Sequence, residues 1–385
     1  MITLALFCKV VDNYGDIGIC YRLARQLTVE HNLSVTLWVD DLHSFHRLCP
    51  AVDCNLKHQR VQTIQVRHWT DTNDHDGVCD AADIVLEFFG CEIPAWYVAA
   101  MKARASQPVW INLEGLTAEA WVEGCHTLPS PQQSLAKYFF YPGFTARTGG
   151  LIIEAGLIGQ CQQFQQDNPA VAGFLSQLGL TEAERSAIKV SLFCYPHAPV
   201  GELFDVWKTG NRAITCLVPD GVAPAATRAF FGTDAAPGMH ATQGSLTVHI
   251  LPFLPQPDFD RLLWACDINF VRGEDSFVRA QWASRPFIWH IYPQDNQLHH
   301  VKLRAFLSRC SALTAAQHDL MLAWNDVPGG TIDLAAAWEN LLFDRQKIAK
   351  LLPEWQSTLL TNGDFSSNLL KFAATINPDI RPDTL

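Results

Sequence analysis

Apolar positions along this chain fall into two alternating rhythms. Continuous apolar runs occupy 2–11, 34–39, 83–89 and 108–113 in the first half, the pattern of strands covered on both faces of a parallel sheet. Between them lie stretches with helical spacing, first Ile19, Leu23, Ala24 and Leu27, then 41–48 and 94–105. The second half restarts the pattern after a predicted helix at 171–178. Strands are predicted at 189–195, 213–218, 246–251, 268–271 and 286–291, with helices between them at 258–265 and 277–283. Beyond residue 296 the pattern is helical throughout, and the stretch from Trp338 to Leu370 suits a tail packed back across both halves. Residues 127–159, rich in Gly, Pro and aromatics, read as irregular loop, with 138–144 as a lid or a structural plug.

Strands that alternate with helices predict an open, doubly wound parallel sheet, and 385 residues exceed what one core organises. The expected fold is therefore α/β with the GT-B architecture: two facing Rossmann-like domains with an interdomain cleft. Residues 1–180 are expected to form the N-terminal Rossmann-like domain, completed by a C-terminal helix at 355–385, and residues 181–354 the C-terminal Rossmann-like domain. The composition, 48% hydrophobic and 17% charged, is that of a folded protein. A net charge of −11, with no Lys/Arg cluster longer than a pair, argues against nucleic acid as a partner. No apolar stretch reaches the roughly 18 residues of a membrane-spanning helix. The N-terminal apolar run has no basic flank and leads straight into Asp12, so it reads as a strand rather than a signal peptide.

The twelve cysteines contain no CxxC pair, and no zinc-like Cys/His spacing or HExxH occurs. Several, including Cys8, Cys194, Cys216 and Cys266, lie in or beside apolar elements. Buried reduced thiols of a cytoplasmic protein explain them, and no metal site is expected.

Candidate chemistry concentrates at two strand-to-helix turns. After the first strand comes Asp12-Asn13-Tyr14-Gly15-Asp16-Ile17-Gly18, and after the strand at 268–271 comes Arg272-Gly273-Glu274-Asp275-Ser276. The carboxyl end of a parallel strand facing a helix N-terminus is the usual ligand crevice of such sheets, and a phosphorylated ligand suits it. A cleft between the two domains would bring both sets of carboxylates together. Each set also has a plainer reading. Asp16 could be a helix N-cap, Glu274 and Asp275 a capping pair, and Phe193, Tyr195 and Phe259 core aromatics. Arg22 and Arg25 read as a solvated helix face.

Asp12-Asn13-Tyr14-Gly15-Asp16-Ile17-Gly18 followed by Arg22-Leu23-Ala24-Arg25-Gln26-Leu27 resembles the opening of the bacterial protein-arginine rhamnosyltransferases that modify elongation factor P, the EarP family. The run 272–283 and Trp289-His290-Ile291-Tyr292-Pro293-Gln294 resemble the same family's donor-site motifs. The resemblance spans essentially the whole chain and implies that 1–180 is the acceptor-side domain and 181–354 the nucleotide-sugar-binding domain. It implies an inverting, metal-independent glycosyltransferase that needs no cofactor and moves L-rhamnose from dTDP-β-L-rhamnose to an arginine of elongation factor P. By the same resemblance Asp16 is the general base, and Asp12 and Glu274 are acidic residues essential near the sugar. Asn13, Tyr14, Gly15, Phe193, Tyr195, Gln256, Phe259, Arg272, Asp275, Ser276 and Tyr292 are implied to bind substrate.

Such a transfer requires the protein to orient the acceptor, take its proton and stabilise negative charge on the departing diphosphate. Arg272, Ser276 and the amides that open the following helix can meet the diphosphate. The acceptor poses the harder problem, because a guanidinium has a pKa above about 12, whereas an ordinary carboxylate titrates near 3.9. Asp16 is expected to grip the guanidinium, disturb its delocalisation and take the proton as the C–N bond forms. The alternatives are a GT-B glycosyltransferase or nucleotide-sugar epimerase with another acceptor or sugar, a nicotinamide dehydrogenase, and a non-catalytic adaptor. The dehydrogenase lacks its GxGxxG turn, since only Gly15 and Gly18 are present.

Overall fold

A computed structural model describes residues 1–12, 14–70, 80–130, 135–328 and 333–380. It divides into two compact units, 1–155 with 359–385, and 156–358. In the first unit the strands are β1 (Thr3–Cys8), β2 (Ser34–Val39), β3 (His58–Val61), β4 (Ile64–His68), β5 (Ile84–Phe88), β6 (Val109–Leu113) and β7 (Lys137–Phe140). Their order across the sheet is β3-β4-β2-β1-β5-β6-β7. All neighbours pair parallel except β3 with β4, an antiparallel edge hairpin.

The second unit repeats the plan with β8 (Ile188–Leu192), β9 (Ile214–Pro219), β10 (His240–Gln243), β11 (Leu246–Leu251), β12 (Ile268–Arg272) and β13 (Phe287–His290). Their order is β10-β11-β9-β8-β12-β13, again parallel except for the edge strand β10. Central strands such as β1, β9 and β11 are buried along nearly their whole length. That burial explains their unbroken apolar runs: helices cover both faces, so no position alternates outward.

Both sheets reverse their winding beside their first strand. In the first, the chain proceeds from β1 outward through β2 and then returns to place β5 on the other flank. In the second, β9 and β12 flank β8 in the same way. At such a switch point the loops leaving adjacent strands diverge and open a crevice at the carboxyl ends. The turn after β1 and the turns after β8 and β12 therefore occupy the ligand positions of their respective sheets.

Several expectations need correction. The first boundary lies at 155/156 rather than near 180. Helices Leu157–Gln166 and Asn168–Gln177 belong to the second unit, where Gln165 Nε2 donates to the Ala283 carbonyl at 2.9 Å and Phe164 packs on Trp264. The 127–159 stretch is not wholly irregular, since 137–140 forms the edge strand β7. Phe140 of that strand packs edge-on to Phe365 in the returning helix Phe365–Ile376. The tail is also not continuous. Helices Leu298–Arg309, Ala315–Trp324 and Leu334–Leu360 precede that returning helix, and the division between units falls in the last turn of the third. No described helix is long and apolar enough to cross a membrane.

One buried ion pair joins the helices around β12. Arg279, on helix Asp275–Ala283, donates from Nε and Nη2 to both carboxylate oxygens of Asp260 on helix Gln256–Ala265, at 2.9 and 2.7 Å. Both side chains are almost fully out of water. Removing one partner leaves the other charge uncompensated. Arg279→Met is accordingly expected to lower unfolding stability by about 3–5 kcal/mol, measured by chemical denaturation. A loss below about 1 kcal/mol, as for exposed pairs, would contradict this account of the pair.

Candidate functional site

In the first unit the decisive geometry is at the end of β1. Helix Gly15–Val29 begins one residue after Tyr14, whose side chain makes no capping bond. Asp16 is thus inside the first turn and is not the N-cap. Its Oδ2 reaches backwards and accepts the amide N–H groups of Val11 at 2.7 Å and Asp12 at 2.8 Å. The carboxylate thereby ties the loop leaving β1 to the helix that follows. Gly15 completes the turn: its amide donates to the Asp12 carbonyl at 2.7 Å, and a Cβ at this position would lie only 3.0 Å from the Asp12 carboxylate. The crevice thus places two carboxylates beside a backbone that tolerates no added side chain without a shift.

Asp16 is 5% exposed, and burial pushes its carboxyl above the usual value. The two amide bonds oppose that shift, while the nearby Asp12 and Asp40 carboxylates reinforce it. Asp40 closes β2 and accepts the Val10 amide at 2.9 Å. Tyr14 lies under the Arg47 guanidinium, 6.0 Å from the ring centroid. Asn13 lies outside the described residues.

The same unit disposes of its other buried charges in pairs. Glu87 on β5 accepts the Glu92 amide at 2.9 Å and Lys137 Nζ at 3.2 Å. Arg22, expected on a solvated face, is buried and bonded to Glu154 at 3.0 Å, because its helix is covered by the 151–155 segment, which Gln26 also meets through the Ile153 carbonyl. Arg25 stands 5.5 Å over the Tyr21 ring.

In the second unit the ends of β8, β12 and β13 converge. Arg272 closes β12; its guanidinium carbon lies 4.2 Å from the Phe193 ring centroid and 4.9 Å from that of Tyr195. Its Nη1 donates to the Cys194 carbonyl at 3.1 Å. No ion pair to Arg272 is found among the described residues. A cation held by two π faces and one carbonyl keeps its charge available for an anion. Phe259 meets Phe193 edge-on at 5.6 Å, and Tyr292 meets Tyr195 edge-on at 5.5 Å. Phe259 also packs against the apolar cluster around Phe174 and Leu262, so one side of it is core.

The turn Gly273-Glu274 leads into helix Asp275–Ala283, two residues earlier than the apolar spacing suggested. Gly273 has φ +59°, a left-handed conformation that favours glycine. Glu274 stands at the N-cap position but makes no side-chain cap bond. The capping-pair reading is therefore not what this residue does. Ser276 Oγ accepts the Arg272 amide at 3.0 Å and donates to the Arg272 carbonyl, so the hydroxyl fixes the end of β12. Gln256 is buried at the start of its helix, beside Pro255.

Two residues went unassigned in the sequence. The His290 ring accepts the Tyr195 amide through Nδ1 at 3.2 Å, and its Nε2 lies 2.9 Å from His197 Nε2. The Trp-His-Ile-Tyr run was visible as a motif, but nothing in it identifies the histidine as the brace of Tyr195. No group of three or more His, Cys, Asp or Glu side chains able to hold a metal occurs among the described residues. Arg272, a cation at the end of β12, is the expected phosphate contact from the sequence, and its setting of two rings and one carbonyl is compatible with that role.

Comparison with known proteins identifies the family and the fold. Residues 4–374 match the family described as Elongation-Factor P (EF-P) rhamnosyltransferase EarP. A protein-arginine rhamnosyltransferase from Pseudomonas putida is 44% identical over 377 residues, covering 96% of this chain and 98% of the relative. One from Shewanella oneidensis is 38% identical, covering 95% and 96%. A solved structure described as "Structural basis for EarP-mediated arginine glycosylation of translation elongation factor EF-P" is 33% identical, with TM-score 0.67 and coverage of 97% and 99%. A Siraitia grosvenorii transferase in complex with UDP shares the fold alone, at 9% identity and TM-score 0.53 over 98% of this chain. The chain is a glycosyltransferase of GT-B fold and belongs to the EarP family of EF-P rhamnosyltransferases.

Proposed function

We propose that this chain moves L-rhamnose from dTDP-β-L-rhamnose to one arginine side chain of elongation factor P in the cytoplasm, with inversion and without a metal. The observation that carries this reading is the Asp16 carboxylate, buried, anchored through Oδ2 and held above its ordinary pKa. A carboxylate with a raised pKa is the better base for a guanidinium proton. With Oδ2 committed to two amides, Oδ1 is the atom left to meet the acceptor. The acceptor nitrogen bonds to the anomeric carbon as the bond from that carbon to the β-phosphate oxygen breaks, and its proton passes to Oδ1. The electron pair leaves on dTDP, whose growing negative charge Arg272 and the amides opening helix Asp275–Ala283 stabilise. Asp12 adds negative charge on the side of the acceptor guanidinium, and Glu274 on the side of the oxocarbenium-like sugar of the donor.

The substrates divide by chemistry. The carboxylates after β1 suit a cationic acceptor, and the guanidinium and aromatic rings after β8 and β12 suit a nucleotide. Phe193, Phe259 and Tyr292 supply faces or edges for the base and sugar, with Gln256 and Asp275 as polar partners.

Three outcomes test the proposal. Phe259→Ala is expected to weaken dTDP binding by about 1–3 kcal/mol with the fold retained, measured by calorimetry; unchanged affinity would return Phe259 wholly to the core. Transfer is expected to continue in excess EDTA, and loss of turnover restored by magnesium or manganese would overturn the metal-free reading. Asp16→Asn is expected to abolish transfer while sparing dTDP-rhamnose affinity, and Glu274→Gln to cripple transfer, both followed by mass spectrometry of elongation factor P. The pH sign at Asp16 provides a control on stability. A carboxyl raised on folding contributes stability that is present below its unfolded value and lost as pH rises through the folded one. Asp16→Asn should then melt no lower than wild type at pH 7.5, with the gap closing towards pH 4. Near-wild-type transfer by Asp16→Asn would remove Asp16 from the chemistry.

A further inference from the structure

His290 is fixed from four directions. On β13 it sits in register with Arg272 on β12, and its carbonyl accepts the Gly273 amide at 3.1 Å. The buried Asn325 grips the chain on either side of it: Nδ2 donates to the Trp289 carbonyl at 2.8 Å, and Oδ1 accepts the Ile291 amide at 3.0 Å. The ring then spans from the Tyr195 amide to His197. One residue thus holds the turn after Arg272 by its backbone and the segment carrying Tyr195 by its side chain.

The donors and acceptors along this chain admit one assignment. A backbone amide can only donate, so His290 Nδ1 carries no proton and Nε2–H is the donor to His197. His197 must receive it on an unprotonated Nε2, which makes its own tautomer Nδ1–H. Adding a proton to His197 sets two N–H groups against each other. The other His290 tautomer offers no escape, because its Nδ1–H would face the Tyr195 amide.

We propose that His290 is a positioning residue for the nucleotide-sugar pocket, setting Tyr195 and through it Arg272, and that its bond to His197 makes donor binding fail in mild acid. The proposal rests on the donor reading above. Tyr195 is the link: its ring lies 5.4 Å from His290, 5.5 Å from Tyr292 and 4.9 Å from the Arg272 guanidinium carbon. Losing the brace on its amide therefore loosens both faces that meet the ligand.

The charged surroundings agree on which ring titrates. His290 is fully buried, and burial, then His197, Arg272 and His299, push it down to about 3. It stays neutral throughout the physiological range. His197, exposed and stacked on Tyr195 at 6.2 Å, is lowered by burial of its ring and partly restored by Asp326. It is the member of the pair that gains a proton first. His299, itself lowered chiefly by burial and then by His300, bonds to the main chain of Gln294 and makes no bond to His290. His300 is bonded to the Asn325 carbonyl.

The test is calorimetric titration of the full chain with dTDP-β-L-rhamnose at pH 7.5 and pH 5.0. Both phosphates of this probe are esterified, so neither has the pKa near 6 of a terminal phosphate. Wild type is expected to bind roughly five-fold or more weakly at pH 5.0, as His197 protonates. In His197→Asn the side-chain oxygen accepts from His290 Nε2–H without titrating, so the ratio between the two pH values should fall close to one, whatever the variant's affinity at pH 7.5. Long-range proton–nitrogen NMR at pH 7.5 should show the Nε2–H tautomer for His290 and Nδ1–H for His197, a readout that does not require any variant to fold. A wild-type ratio near one, an undiminished ratio in His197→Asn, or reversed tautomers would overturn the inference while leaving donor recognition intact. Absence of dTDP-rhamnose binding by wild type at pH 7.5 would overturn the donor reading and the inference with it.

Discussion

Asp16 Oδ2 accepts two consecutive main-chain amides across the break between a strand and a helix. A parallel strand must end somewhere, and its last polar groups lack the partners that the sheet supplied further back. In the first unit a carboxylate from the next element supplies them, and that solution forces an ionisable group into a nearly dry position. The loop is ordered because the side-chain oxygen accepts its amides, and the carboxyl is perturbed because the loop encloses it. Burial, reinforced by the Asp12 and Asp40 carboxylates, raises its pKa against the pull of the two amides, the direction that the proposed role as a base calls for.

The remaining buried charges show how unusual that position is. Arg279 meets Asp260 through two parallel bonds, Lys137 meets Glu87, and Arg22 meets Glu154. In each, opposite charges cancel and the pair is structural. Arg272 is treated differently: two aromatic rings and one carbonyl hold it without cancelling it. A charge held without an opposite charge at the carboxyl end of a strand is suited to a ligand that completes the balance, which is the basis for proposing an anion beside Arg272 and a cation beside Asp16. The histidine pair behind Tyr195 extends the same principle to hydrogen bonds, since its geometry holds for only one placement of protons.

Much of this was readable from the chain. Both parallel sheets, the return of the C-terminal helix to the first unit and the two polar turns follow from apolar runs and from the motifs around Asp16 and Arg272. Of the short edge strands, only the fully buried β13 was readable. β3, β7 and β10 are four residues each with mixed burial, and one covered face leaves little periodicity to detect. The boundary at 155 leaves no mark in the sequence because helix Leu157–Gln166 is amphipathic whichever unit it covers. Arg22 looked solvent-facing because its partner Glu154 is far along the sequence. The brace from His290 to Tyr195 likewise joins residues on non-adjacent strands, a contact fixed only when β8, β12 and β13 align. The backward grip of Asp16 on Val11 and Asp12 has no signature in the sequence, where a buried acceptor and an N-cap look alike.

The central claim is that the carboxylates after β1 receive a protein arginine while the second unit presents a rhamnosyl nucleotide. The most direct measurement is tandem mass spectrometry of purified elongation factor P after incubation with this chain and dTDP-β-L-rhamnose, with NMR of the anomeric centre in the product. The account predicts one deoxyhexosyl increment, confined to a single arginine peptide, with the α-configuration at the anomeric carbon. Modification of another residue type, retention of the β-configuration, or unmodified elongation factor P in the presence of bound donor would contradict it.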